Sequence, residues 1–161
     1  MTLKEFISTM KRERNRWNLL IKTLIDNGYA NEIIKDKWTL KDVIAHIYWY
    51  EFEIVNALRQ KSIKNIKFWN ESIRKRNSFI FSQTNGLSLE KILVEANKTF
   101  TNLIIEIEKL SNDDLKSRSF FKDSRKTVFR LIMGNSTDHY REHDYKLIKR
   151  FNLSKSGFDN R

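Results

Sequence analysis

Along four stretches of the chain, apolar residues recur at every third or fourth position, the spacing that lines one face of an α-helix. In the first stretch, Phe6, Met10, Trp17, Leu20, Ile21 and Leu24 predict a helix over residues 3–26. Asn27-Gly28 supplies its stop, because glycine takes the left-handed cap conformation without strain. The second helix opens after Trp38-Thr39, with Thr39 as N-cap and Asp42 placed to close a capping box and to suit the positive end of the helix dipole. It runs to about Arg59 and carries His46, Tyr48, Trp49, Tyr50, Glu51 and Glu53. Ser88 caps a third helix through Leu89, Ile92, Leu93, Phe100, Leu103, Ile104 and Ile107, ending near Leu110. Ser111-Asn-Asp-Asp-Leu115 reads as a turn or short helical extension, and Phe120 and Phe121 anchor the loop after it. The fourth helix spans about Lys126 to Phe151. Its stripe is Val128, Ile132, Asn135, His139, His143 and Leu147, with polar residues set into an apolar face, so both histidines are expected to point inward.

Residues 60–87 lose this rhythm. Phe68-Trp69-Asn70 and Phe79-Ile80-Phe81 are aromatic clusters inside polar sequence, expected in a long crossover over one end of the fold, with a short helix around Asn70 to Ser78. The pattern therefore predicts an all-α protein, a four-helix bundle with a long crossover between its second and third helices. Residues 1–153 form the expected domain and 154–161 a polar, frayed tail.

Composition narrows the picture. The chain has no proline and four glycines, which permits long helices and argues against an all-β fold. No segment approaches the run of about 18 apolar residues that marks a membrane span, and the N-terminus lacks an apolar signal core, so the expected location is the cytoplasm. The absence of cysteine excludes disulfides, thiolate zinc sites, iron–sulfur clusters and cysteine nucleophiles. A net charge of +11 suggests attraction to nucleic acid or other anions, weak DNA binding included. Abundant Ile, Lys and Asn give a competing account, the composition of an AT-rich genome with lysine on solvated faces. The basic runs Lys11-Arg-Glu-Arg14 and Arg74-Lys-Arg76 are short.

Candidate chemistry sits in Asn135-Ser-Thr-Asp-His-Tyr-Arg-Glu-His143. His139 and His143 stand four residues apart on one helical face, a spacing at which two imidazoles can share a metal ion. His46, about one turn inside the second helix, would supply a third neutral nitrogen and leave positions open for water or substrate, an arrangement suited to zinc, nickel or iron(II). Glu142, Asp138 or Glu51 could orient the rings. Spacing alone is equally consistent with hydrogen-bonded core histidines. The stretch also fits the H-x-x-E-H pattern of inverted zinc peptidases with Glu142 as base, but little sequence follows to supply their downstream acidic ligand. Neither a nucleophile elbow nor a phosphate-binding glycine loop is visible.

Two segments carry a family resemblance. Trp38-Thr-Leu-Lys-Asp-Val-Ile-Ala-His-Ile47 resembles the W-S-x-K-D-x-x-A-H-L segment of the ClbS/DfsB family, and Asn135 to His143 resembles its N-T-x-x-H-Y-x-E-H segment. That group lies within the DinB-like superfamily of four-helix bundles, many of them regarded as metalloenzymes. The resemblance implies a divalent metal held by His46, His139 and His143, and a reaction on a small electrophile or toxin, by hydrolysis of a strained ring as in ClbS or by thiol transfer as in more distant relatives. Glu142 or Glu51 would be general base, with Tyr140, Tyr50, Trp49 and Asn135 lining or polarising the pocket. One departure concerns the family's H-L-x-x-W-E: its tryptophan is Tyr50 here, with Glu51 retained and Trp49 displaced by one. Two rival readings have no catalysis: a metal-free protein that sequesters a toxin or binds damaged nucleic acid, and a homodimeric structural bundle with a polar core.

Overall fold

Several helices start where a short polar side chain accepts from a free amide of the first turn. In the computed structural model, which describes residues 1–64, 66 and 69–154, Thr2 accepts the Glu5 amide at 3.2 Å while the Glu5 carboxylate accepts the Thr2 amide at 2.7 Å. This box opens α1 (Leu3–Asp26). Gly28 then turns the chain at φ 79°, where a side chain would be strained. After a 3₁₀ turn at Tyr29–Asn31, Ile34 and Trp38 close a tight loop through an amide-to-carbonyl bond of 2.8 Å. The Asp42 carboxylate accepts from both the amide and the hydroxyl of Thr39, at 2.9 and 3.0 Å, and α2 (Leu40–Gln60) follows.

The remaining helices are α3 (Ile73–Thr84), α4 (Leu89–Glu108), α5 (Asn112–Lys116), α6 (Val128–Asn135) and α7 (Thr137–Arg150). Helix α2 packs along α4 and α1 along α7, so the four rods of the bundle are α1, α2, α4 and the α6–α7 pair. The described residues contain no β-strand, as expected of an all-α bundle. None of their helices is long and apolar enough to cross a membrane.

Two expectations need correction. The crossover contains a longer helix than the short one expected over 70–78: α3 has 12 residues, opens where Ser72 accepts the Lys75 amide, and buries Ile80 against Trp49 and Tyr50. The fourth rod is not one helix. Ser136 leaves the helical region at φ −132°, ψ −83°, with its hydroxyl bonded back to the Ile132 carbonyl at 2.9 Å, and α7 restarts at Thr137. Of the expected aromatic clusters, Phe68 lies outside the described residues, as does the tail beyond Ser154.

Among the described residues the apolar core falls into two large clusters, beside the small one that Ile80 forms with Trp49 and Tyr50. One gathers Phe6, Met10, Ile54, Leu103, Ile107 and Ile132, and the other Trp17, Leu24, Ile47, Ile92, Tyr140 and Leu147. Side chains such as Phe6 and Ile107 are fully buried, each contributing about 1.5–3 kcal/mol relative to exposure. Between the clusters lies a polar layer. The Arg14 guanidinium donates to Glu51 Oε2 at 3.1 Å, to the Tyr140 hydroxyl at 2.9 Å and to Asn97 Oδ1 at 3.2 Å, joining α1, α2, α7 and α4. The Tyr140 hydroxyl in turn donates to Glu51 Oε1. Arg14, the last residue of a short basic run in the sequence, is only 4% exposed.

Candidate metal centre

The histidines meet because α2 and the restarted α7 lie side by side. His46 enters from the second turn of α2, and His139 and His143 lie on successive turns of α7. One ring nitrogen from each falls within 4.8 Å of the others. His46 Nε2 and His139 Nε2 are 2.9 Å apart, and the ring centroids are separated by 4.7, 5.0 and 5.3 Å. His46 is buried, and the other two are half-buried.

Burial strips these rings of their protons. Desolvation, followed by the mutual repulsion of the three rings, pushes His46 down to about 2. The same desolvation takes His143 to about 3, with His139 and Lys146 lowering it further against the pull of Glu142. His139 drops to about 4, again through burial, with the Glu142 charge and the Asn135 backbone opposing. All three are neutral imidazoles near pH 7, the form that binds metal. The contact between two nitrogens at 2.9 Å can be an N–H···N bond or the edge of a shared coordination sphere, since metal–nitrogen bonds of about 2.0–2.1 Å set two ligands roughly 3 Å apart. The donor set therefore fits a borderline-soft divalent cation. His46 lacks the usual outer hydrogen bond, its Nδ1 being buried without a partner among the described residues, whereas the Asn135 backbone lies within reach of the His139 ring. Ring contacts hold His46 in their place, from Trp38 at 5.4 Å and Tyr50 at 5.0 Å.

The triad forms one wall of a cavity of about 790 Å³, which Trp38, Tyr50, Phe81, Asn135 and Glu142 also line. Tyr50 stands edge-on to both His46 and His139, and burial holds its hydroxyl above its usual pKa, with Arg76 opposing. Glu142 is largely exposed and ion-paired with Lys146 at 2.5 Å, whose hydrogen bond keeps the carboxyl below its usual range. Of the expected site residues, the three histidines, Tyr50, Asn135 and Glu142 thus share one cavity. Three others do not line it. Trp49 packs on Tyr50 and Phe79, at 5.1 and 6.3 Å. Glu51 and Tyr140 belong to the polar layer, where burial raises the Glu51 pKa against the pull of Arg14 and raises that of Tyr140 well above normal. Asp138, a candidate for orienting the rings, is exposed and pairs with Arg141 at 3.8 Å.

Several residues of the site and its support escaped the sequence reading, among them Trp38 and Phe81 as cavity walls, Arg76, Asn97 and Arg14. For Arg14 a signal existed, because it continues the Met10–Trp17 stripe at spacings of four and three.

The model of the DinB superfamily matches residues 9–143, a span that takes in all three histidines and most of the chain. The chain belongs to the DinB superfamily. Solved structures agree at the level of the fold. An uncharacterised protein from Escherichia coli UTI89 superimposes with a TM-score of 0.78 at 15% identity, covering 95% of this chain and 96% of that one. A protein described as sibling lethal factor precursor, DfsB, gives 0.75 at 17% identity, with 94% and 96% covered. A Streptococcus pneumoniae protein gives 0.75 at 12% identity, with 95% and 92% covered. No curated protein sequence matches the chain significantly. In this DinB-superfamily chain the matched region ends on His143 itself, so it contains the whole triad and the break at Ser136.

Proposed function

We propose that this DinB-superfamily protein is a metal-dependent enzyme of ClbS/DfsB type that hydrolyses or opens a small electrophile. The observation that carries the reading is the convergence of three neutral histidines on one wall of a cavity large enough for a small molecule. The structural likeness to DfsB and the frequency of metal sites in the superfamily support it. His46, His139 and His143 would hold zinc, nickel or iron. A divalent cation there supplies Lewis acidity toward water and the electrophile.

The chain's own residues supply the rest. Trp38 and Phe81 give the compound an apolar wall, and Asn135 adds a polar edge. The Glu142 carboxylate, charged near neutral pH, accepts the proton that water loses as its oxygen bonds to the electrophilic carbon. The electron pair of the breaking bond passes to the leaving atom, which takes a proton from solvent. The Tyr50 hydroxyl stays protonated and can donate a hydrogen bond to that atom. Glu51 and Tyr140 serve beneath the site, tying α2 to α7.

The test is elemental analysis of protein made without a histidine tag, beside a His139→Ala/His143→Ala variant. Near-stoichiometric zinc, nickel or iron in the parent, lost in the variant, is the expected result and leads to a screen of strained electrophiles with and without thiols. No metal in either protein, even after incubation with excess divalent ions, overturns the reading. The net charge of +11 favours one alternative, a metal-free protein that sequesters an anionic toxin or nucleic acid. Salt-sensitive binding that survives loss of all three histidines would identify it.

A further inference from the structure

Beside the histidine cavity lies a second one of about 540 Å³, between the crossover and α6. Three cations, Arg76, Lys126 and Arg130, line it, and among the described residues no carboxylate does. Trp69 lines it too, with the Arg76 guanidinium 5.6 Å and the Lys126 ammonium 5.3 Å from its ring. None of the three cations has an ion-pair partner among the described residues, and Arg76 Nε is buried there without any hydrogen-bond partner. By contrast, neighbouring Lys75 is paired with Glu71 at 2.9 Å. Unpaired cations gathered in a concave site raise the local concentration of anions and reward any that displaces water from them.

The two cavities adjoin, with Arg76, Gly134 and Asn135 bordering both. A single ring separates the cations from the triad. The Arg76 guanidinium lies 5.8 Å from the Tyr50 ring, and that ring lies 5.0 and 5.1 Å from His46 and His139. A molecule with an oxyanion in the smaller cavity can therefore extend past Tyr50 and bring a second group to the histidines.

We propose that the Trp69 cavity is an oxyanion subsite, and that the compound handled at the histidines carries a phosphate or carboxylate bound by Arg76, Lys126 and Arg130. What the anion is attached to rests on the enzyme reading above; the anion site itself does not. The three cations gather around a single indole ring, an area that suits a small oxyanion better than the extended backbone of a duplex.

The experiment follows the Trp69 indole N–H by nuclear magnetic resonance in the full-length, chelator-treated protein, titrated with inorganic phosphate and separately with acetate. Saturable shifts at Trp69 are expected, with the tighter of the two ions naming the anion class. Lys126→Gln/Arg130→Gln, two exposed positions whose replacement spares the core, should weaken binding about tenfold or more. The His139→Ala/His143→Ala variant should bind phosphate as the parent does. Phosphate binding that requires added metal and vanishes in the histidine variant would assign the anion to the metal and overturn the subsite. So would binding indifferent to Lys126→Gln/Arg130→Gln, or Trp69 shifts produced by a duplex oligonucleotide but not by phosphate or acetate. Metal uptake without phosphate binding would sink the subsite and leave the enzyme reading standing. Phosphate binding without metal uptake would do the reverse.

Discussion

Replacing Glu51 by leucine should be among the most destabilising single changes that leave no cavity. Glu51 is fully buried and Arg14 is 4% exposed, so solvent screens neither charge. Arginine cannot escape by losing its proton, and here its partners raise its pKa further. Removing one partner of a buried ion pair strands the other at a cost of about 3–5 kcal/mol. Arg14 would keep its contacts to the Phe100 and Tyr140 rings, at 4.9 and 5.7 Å, which offset about 1 kcal/mol. The expected cost is then about 3 kcal/mol, and for a chain of this size a fall in Tm of roughly 6–12 °C by calorimetry. The decisive comparison is the triple variant Arg14→Met/Glu51→Leu/Tyr140→Phe, which removes the stranded charge and the orphaned hydroxyl together. It should recover most of the loss, because an apolar replacement of a whole buried pair is often neutral or stabilising. A fall below about 2 °C for Glu51→Leu, or a triple variant less stable than the single one, would refute this account of the layer.

Further expectations concern the supports of the site. Asp42→Ala removes the acceptor of the Thr39 amide and hydroxyl at the start of α2, and should cost about 1 kcal/mol, seen as a Tm lower by roughly 2–4 °C. Asp123 accepts from Ser62 Oγ and from the amides of Ile63 and Lys64, at 2.5, 2.9 and 3.0 Å, and the Ile63 amide first among these bonds holds its pKa down to about 2. A depressed carboxylate stabilises the fold above its unfolded pKa and loses that contribution as pH falls through the folded one. The Tm difference between the parent and Asp123→Asn should therefore be constant above about pH 4 and shrink toward pH 2; a difference independent of pH would contradict it. In the metal test, adding zinc should raise the Tm of the parent and leave His139→Ala/His143→Ala unmoved.

Much of the bundle could be read from spacing, because an amphipathic helix declares its buried face. The bounds of α1, the caps at Thr39 and Ser88 and the short α5 follow from local rules that tertiary packing leaves alone. The meeting of His46 with His139 and His143 was visible only in part, as an inward face on α7 and a resemblance at two segments. The second half of α3, beyond the short helix expected around Asn70 to Ser78, was hidden because Phe79, Ile80 and Phe81 are consecutive and show no helical rhythm. The break at Ser136 was hidden for the opposite reason, since Ile132 and Tyr140 keep a spacing of four on either side of it. Gly134, Ser136 and Thr137 were the available signals, weak because such residues also occur inside helices. Glu51 and Tyr140 were legible as polar residues near the histidines, but which side of α2 and α7 each would occupy depends on where Arg14 arrives from α1, a non-local fact.

The polar layer has a consequence for alignment. Each of the four rods crosses it at one residue: Arg14, Glu51, Asn97 and Tyr140. Apolar surfaces slide over one another with little penalty, but a slip of one turn, about 5.4 Å, would set the guanidinium against Ile or Leu and leave the carboxylate alone. The layer is thus an index mark, permitting one longitudinal setting of the rods. Glu51 follows His46 by five residues and Tyr140 follows His139 directly, so the same mark fixes how far along α2 the α7 histidines arrive. Volume-conserving exchanges among the aliphatic side chains on either side of it should leave the triad's meeting point in place.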